Sequence, residues 1–341
     1  MKKFLLPILF SLTVAPAAFA PMASTDGPYH FIKEIPVAGE TGWDYLSVDP
    51  LAHRLYVSHG IKVVVIDLVN DTVAGEITNT PGVHGLAVAP RLQRGFTSNG
   101  RENKVSVVDL NTLQTLARVD TGDHPDSILF EPRHTEVYVF NGRDDSATVI
   151  DAKTATVVAT IPLGGRPEFA ADDPRAGLVF DNLEDKDEVA VIDTATHTVT
   201  NLWPIAPGEE GSGMAIDVKH HRLFIGCGGS HTMLMMDGLT GKVLASVPTG
   251  EGVDANAFDP GTQLAFASCG DGTTTIAHEA GDTLTVVQTL PTEKSARTMA
   301  LDPTTHKIYL ASAKFDAPAE GQRRGKMVPG TFKILVYGMD K

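Results

Sequence analysis

The sequence predicts an all-β fold, a seven-bladed β-propeller whose N-terminal strand closes the last blade. Three observations carry the prediction. A dipeptide, usually an acid followed by proline, recurs as Asp49-Pro50, Ala89-Pro90, Glu131-Pro132, Asp173-Pro174, Asp217-Val218, Asp259-Pro260 and Asp302-Pro303, in steps of 40, 42, 42, 44, 42 and 43. An apolar run closed by aspartate recurs in the same phase at Asp67, Asp109, Asp151, Asp193 and Asp237. Each repeat holds four short β-branched, apolar segments separated by turn residues, with no sustained helical period. Four strands in about 40–45 residues is the pattern of a propeller blade.

Taken in chain order, residues 1–20 read as an export signal: Lys2 and Lys3, an apolar run from Phe4 to about Ala15, then Ala18-Phe19-Ala20. The apolar run is too short to span a bilayer. Cleavage after Ala17 or after Ala20 stays open. The mature chain is expected to be periplasmic or secreted, without a membrane span, and a monomer. Residues 29–341 then form one propeller domain. In the third repeat the strands are Ser127–Phe130, Glu136–Phe140, Ala147–Asp151 and Thr156–Ile161. The seventh repeat ends on the strand Thr331–Tyr337 with no fourth strand behind it. Residues His30–Val37 resemble the fourth strand Val157–Leu163, so the N-terminal strand is expected to complete blade 7 and remove an open edge.

Length alone, 341 residues, would suggest two or three domains, and the repeat reduces them to one. The 32 glycines and 21 prolines become turns. At 42% hydrophobic and 21% charged residues the chain is not disordered. The net charge is −14, or −16 once Lys2 and Lys3 are removed, which opposes nucleic acid and anionic membranes. Two cysteines exclude a disulfide scaffold.

The stretches YVSHG (56–60), PGVHGLAVAP (81–90), RGFTSNGRENKVSVVDL (94–110), FNGRDDSATVID (140–151), IPLGGRPEFA (161–170), EGVDANAFDP (251–260), ARTMALDP (296–303) and VPGTFKILV (328–336) resemble the bacterial YVTN-type, YncE-like propeller family over roughly residues 29–341. The resemblance implies the fold and leaves the reaction unassigned. Relatives often carry a cysteine near position 208; here it is Gly208, and the cysteines are Cys227 and Cys269.

In a propeller the first strand of each blade lines the central channel. Counting six residues back from each blade marker reaches Asp44, His84, Asp126, Glu168, Ser212, Asp254 and Arg297 at one channel mouth. Close carboxylates repel unless protonated, paired or metal-bound, so a small polar ligand, a divalent metal or simple wet-loop capping all stay open. A second ring is expected at the ends of the second strands, on the same face: His59, Asn99, Asn141, Asn182, Cys227, Cys269 and Ser312. His124 and His231 fall in loops there, and Arg101, Arg143, Arg166 and Arg297 supply guanidiniums suited to an organic anion or zwitterion. Cys227 and Cys269 are open to a disulfide, to free buried thiols, or to metal or redox use. His53, His134, His220, His221 and His306 read as solvated turn residues on the opposite face. The loop 314–330 is long for its position and carries Arg323, Arg324 and Lys326, and both a basic lid over an acidic mouth and a mobile surface loop stay open for it.

No Gly-x-Ser-x-Gly, His-Glu-x-x-His or phosphate loop is present in the sequence. The leading expectation is an exported propeller that binds a small polar or anionic ligand, or an exported protein partner, through this upper face. The alternative is a metal-dependent lactonase- or lyase-type enzyme. There His84 or His124 would be the general base, and Asp44, Asp126, Glu168 and Asp254 would hold the metal. Single-stranded DNA binding is a minor alternative, disfavoured by the charge and by only 6% aromatics.

Overall fold

The computed structural model describes residues 26–318 and 325–339. The export signal at 1–20 and the loop residues Arg323 and Arg324 lie outside the described residues. Within them the chain forms seven four-stranded antiparallel sheets. Blade 1 runs from the channel outward as Trp43–Asp49, Arg54–His59, Lys62–Asp67 and Thr72–Thr78. Blades 2 to 6 repeat this order. The first strands touch one another in sequence, and Met299–Asp302 of blade 7 meets Trp43–Asp49 to close the ring.

The hydrophobic pattern follows from this stacking. Second and third strands are covered on both faces by neighbouring blades, so Val63–Ile66 is an unbroken buried run. Outer strands keep one face wet and alternate, as in Thr156–Pro162. The core lies between blades. Val57 and Ile66 of blade 1, for example, cluster with Tyr309, Ala311 and Ile334 of blade 7.

Both repeat markers are turn chemistry. Asp49 Oδ1 accepts the N–H groups of Leu51 and Ala52, and Glu131 and Asp173 accept the corresponding pairs in blades 3 and 4. Asp67, Asp109, Asp151, Asp193 and Asp237 cap the next turn in the same manner. The lower-face histidines are more than solvated turn residues. His221 Nδ1 lies 2.5 Å from Asp173 Oδ2 of the preceding blade, and His306 Nδ1 lies 2.7 Å from Asp259 Oδ2.

The ring closes as the sequence predicts. Tyr29–Pro36 pairs antiparallel with Lys333–Met339 and is the outer strand of blade 7. Tyr29 anchors it: its N–H donates to Gln288 Oε1 at 2.9 Å, its carbonyl accepts from Gln288 Nε2 at 2.7 Å, and its hydroxyl donates to the His306 carbonyl at 2.7 Å.

Candidate functional site

The upper mouth is built on a repeated β-bulge. In blade 1 Trp43 pairs with His59 and Leu46 with Val57, leaving Asp44 and Tyr45 opposite Ser58 alone. The same break falls after Val83, Pro125, Pro167, Gly211 and Val253. A bulge bends the strand and re-aims a side chain, and here it presents Asp44, His84, Asp126, Glu168, Ser212 and Asp254. The freed backbone is satisfied locally: Asp44 N–H donates to Ser58 Oγ at 2.9 Å, and Gly85 N–H donates to Ser98 Oγ at 3.0 Å.

The charged groups of this ring meet. His84 Nδ1 is 2.7 Å from Asp44 Oδ2 and 3.3 Å from Asp126 Oδ1. Arg297 Nη1 is 2.5 Å from Asp254 Oδ1. The Tyr45 hydroxyl donates to the Glu168 carbonyl at 3.4 Å, crossing from blade 1 to blade 4, and its ring sits edge-on to Phe169 at 5.0 Å. Below them Phe169 lines a second cavity of about 360 Å³, with Leu46, Phe258 and Met299. Tyr45 and Phe169 thus form a floor between the mouth and the lower channel.

Electrostatics here favour neutral acids. Burial first, then Asp126, Glu184, Asp254 and Asp44, push Glu168 up to about 9. Burial raises Asp126 to about 7 against the opposing pull of His84, and Asp254 to about 6 against Arg297. Burial alone would lower His84, but the bond to Asp44 and the charge of Asp126 outweigh it and raise it. His124 is lowered by burial, then by His84 and Arg143.

Between blades 1 and 2 the mouth opens into a cavity of about 300 Å³, lined among others by Trp43, Asp44, His84, Arg101 and His124. The His84 and His124 rings stand edge to face, 5.0 Å apart. Gly100 makes room for them, since a Cβ there would lie 2.8 Å from His84 Nε2. His84, His124 and Asp126 bring ligand-capable atoms within 4.8 Å of one another, so these three could hold a metal. Arg101 and Arg143 are exposed at the rim. Arg166 pairs with Glu184.

The second ring is not at the open face. His59, Asn99, Asn141, Cys227, Cys269 and Ser312 are fully buried. His59 stacks on Phe332 at 4.4 Å and 6°, and burial, followed by Lys62, lowers it to about 4. A residue so enclosed cannot meet a ligand without the fold opening. Asn182 is also one residue out of register: Leu183 pairs with Pro167 and takes the equivalent place. Cys227 and Cys269 are free thiols in separate inter-blade clusters, and burial pushes each up to about 12. Their expected disulfide alternative is therefore not realised.

Sequence reasoning missed two participants. Tyr45 is invisible until the bulge is known. Asp181 takes the place of Val57, Val139 and Ile225 in their blades, yet it is a fully buried carboxylate with neither oxygen partnered among the described residues. Burial, then Glu168 and Asp126, hold it well above the usual carboxylate range. Of the long loop, Phe315 bridges Met327 and packs on Trp43 at 5.9 Å, so its root stands beside the mouth. Lys326 is exposed there.

No helix among the described residues is long and apolar enough to cross a membrane. No family model matches the chain, and no curated protein matches it. Solved structures do. The WD40 repeats of RRP9 superpose with a TM-score of 0.75 at 10% identity, over 94% of this chain and 99% of that one. The hydrazine synthase of Kuenenia stuttgartiensis superposes with a TM-score of 0.52 at 18% identity, over 74% of this chain and 97% of that one. At these identities the likeness establishes the fold alone, a seven-bladed all-β propeller.

Proposed function

We propose that the chain is an exported, YncE-like binding propeller whose upper face takes a small zwitterionic or otherwise polar organic ligand. One observation carries the reading: the 300 Å³ cavity gathers Asp44, His84, Arg101 and His124 beside Asp126 and Glu168, two acids whose neutral form burial favours. Such a site offers both charge signs and proton donors. It suits a compact ligand bearing an amino and a carboxyl group better than a polyanion. Export and family membership rest on residues 1–20 and on the quoted sequence stretches.

The test is a thermal-shift panel of amino acids, dicarboxylates and diamines on wild type and on the double variant Asp44→Asn, Arg101→Ala. Zwitterions should stabilise the wild type and lose that effect in the variant. Equal shifts in both proteins, or none in either, would overturn the proposal.

A metal-dependent hydrolase or lyase is the second reading, favoured by the grouping of His84, His124 and Asp126. Asp44 already orients His84, as carboxylates orient metal-bound imidazoles. Metal-free purified protein without activity on lactones would sink it.

A further inference from the structure

Blade 6 breaks the repeat at one point. In blades 1 to 5 the third strand ends on an aspartate that caps the next turn. In blade 6 the residue in that register is His278, opposite Leu264, and the strand continues to Ala280. The extra residue Glu279 turns inward. It is only 4% exposed, and its Oε2 has no hydrogen-bond partner among the described residues.

Glu279 meets blade 5 on the lower face. Asp217, 1% exposed, ends the first strand of blade 5, and His220 follows in the turn. His220 Nδ1 lies 2.5 Å from Asp217 Oδ2. Ligand-capable atoms of Asp217, His220 and Glu279 all lie within 4.8 Å of one another. Glu279 and His220 also line a cavity of about 180 Å³ with Arg222 and Gln263, which leaves room for water. The neighbouring guanidinium among the described residues, Arg222, is committed to Asp237 and Asp282.

Two buried carboxylates that face each other require a proton or a cation between them. Calcium and magnesium take oxygen ligands throughout, whereas an imidazole added to two carboxylates suits zinc and its neighbours. We propose that Asp217, His220 and Glu279 hold one divalent transition-metal ion of the zinc class, which ties blade 5 to blade 6 on the lower face. Asp217 Oδ1 keeps its bond from Lys219 N–H, and Oδ2, which meets His220 Nδ1 at 2.5 Å in the metal-free chain, turns to the ion as the proton between them is released to water. Water from the cavity completes the coordination. The site is independent of the upper mouth and of any ligand bound there.

The test uses the full, tag-free chain, stripped with a chelator, equilibrated with Zn²⁺, gel-filtered and assayed for metal per chain. Glu279→Gln is isosteric and His220→Ala alters an exposed ring, so both should fold, with circular dichroism as the check. Each should lose one zinc equivalent that His84→Ala retains, with at least about a tenfold loss of affinity at that site. Zn²⁺ should raise the melting temperature of the wild type more than that of Glu279→Gln. An unchanged zinc count in both lower-face variants, or a site that fills with Ca²⁺ or Mg²⁺ but not Zn²⁺, would overturn the proposal.

Discussion

Replacing Glu168 by glutamine should stabilise the protein, by an amount that grows with pH. Glu168 titrates near 9 in the fold against an ordinary 4.5, because burial and the acids around it disfavour its charge. A carboxyl raised in this way contributes stability at pH below its unfolded value. That stability is lost as pH rises toward the folded value. At pH 7 the folded chain must hold a proton that the unfolded chain has released, at a cost of about 3 kcal/mol at 1.36 kcal/mol per pH unit. Glutamine has the same shape and needs no proton. Glu168→Gln should therefore match the wild type near pH 4.5 and exceed it by about 3 kcal/mol at pH 7, or about 5 °C in melting temperature for a ring of this size. The assay is calorimetric melting of both proteins at pH 4.5, 6, 7 and 8, with chelator present so that no cation ionises the acid. A difference that does not change with pH, or a wild type that gains on the variant as pH rises, would refute the reasoning.

Other predictions follow from single groups. His59, held near 4 by burial, is neutral in the fold, so its contribution is present above pH 6.5 and lost as pH falls through 4. The wild type should accordingly lose about 3 kcal/mol relative to His59→Phe over that interval, read from urea melts at pH 7 and pH 4. Asp181→Val, which installs the residue of blades 1 and 3, should raise stability at pH 7 by about 1–3 kcal/mol by removing an unpartnered buried carboxylate; no gain would mean that the carboxylate has a partner. Gln288→Ala should cost about 2–3 kcal/mol and speed amide exchange across Tyr29–Pro36 selectively, since it breaks the two bonds that Gln288 makes to the Tyr29 backbone. Native protein should be inert to thiol reagents at pH 8 and yield two reactive thiols on denaturation, because thiols near 12 are thiolate in only about one part in ten thousand there.

The fold was legible because each blade repeats a small turn grammar. Asp49 and Asp67 mark their turns by accepting N–H groups two and three residues on, so spacing alone reveals the period. The inner ring was legible for the same reason: a fixed offset from Pro50 or Pro132 reaches Asp44 or Asp126. The second ring was not, because an offset says nothing about which way a side chain turns. His59 and Asn141 face the inter-blade core, and Asn182 was displaced by one residue from the register that Leu183 holds. Tyr45 needed knowledge of the bulge. Asp181 and Glu279 are carboxylates where the local pattern expects an apolar or exposed residue, and only burial reveals them.

The central claim is that the cavity beside Asp44, His84 and Arg101 is where this propeller binds. Calorimetric titration of the most stabilising zwitterion tests it most directly, on wild type, on Asp44→Asn and on Arg54→Ala, which alters a comparable cavity on the opposite face. One site per chain is expected, weakened at least about tenfold by Asp44→Asn through loss of a charge-assisted hydrogen bond and unchanged by Arg54→Ala. Binding that survives Asp44→Asn, or that fails in Arg54→Ala, would contradict it.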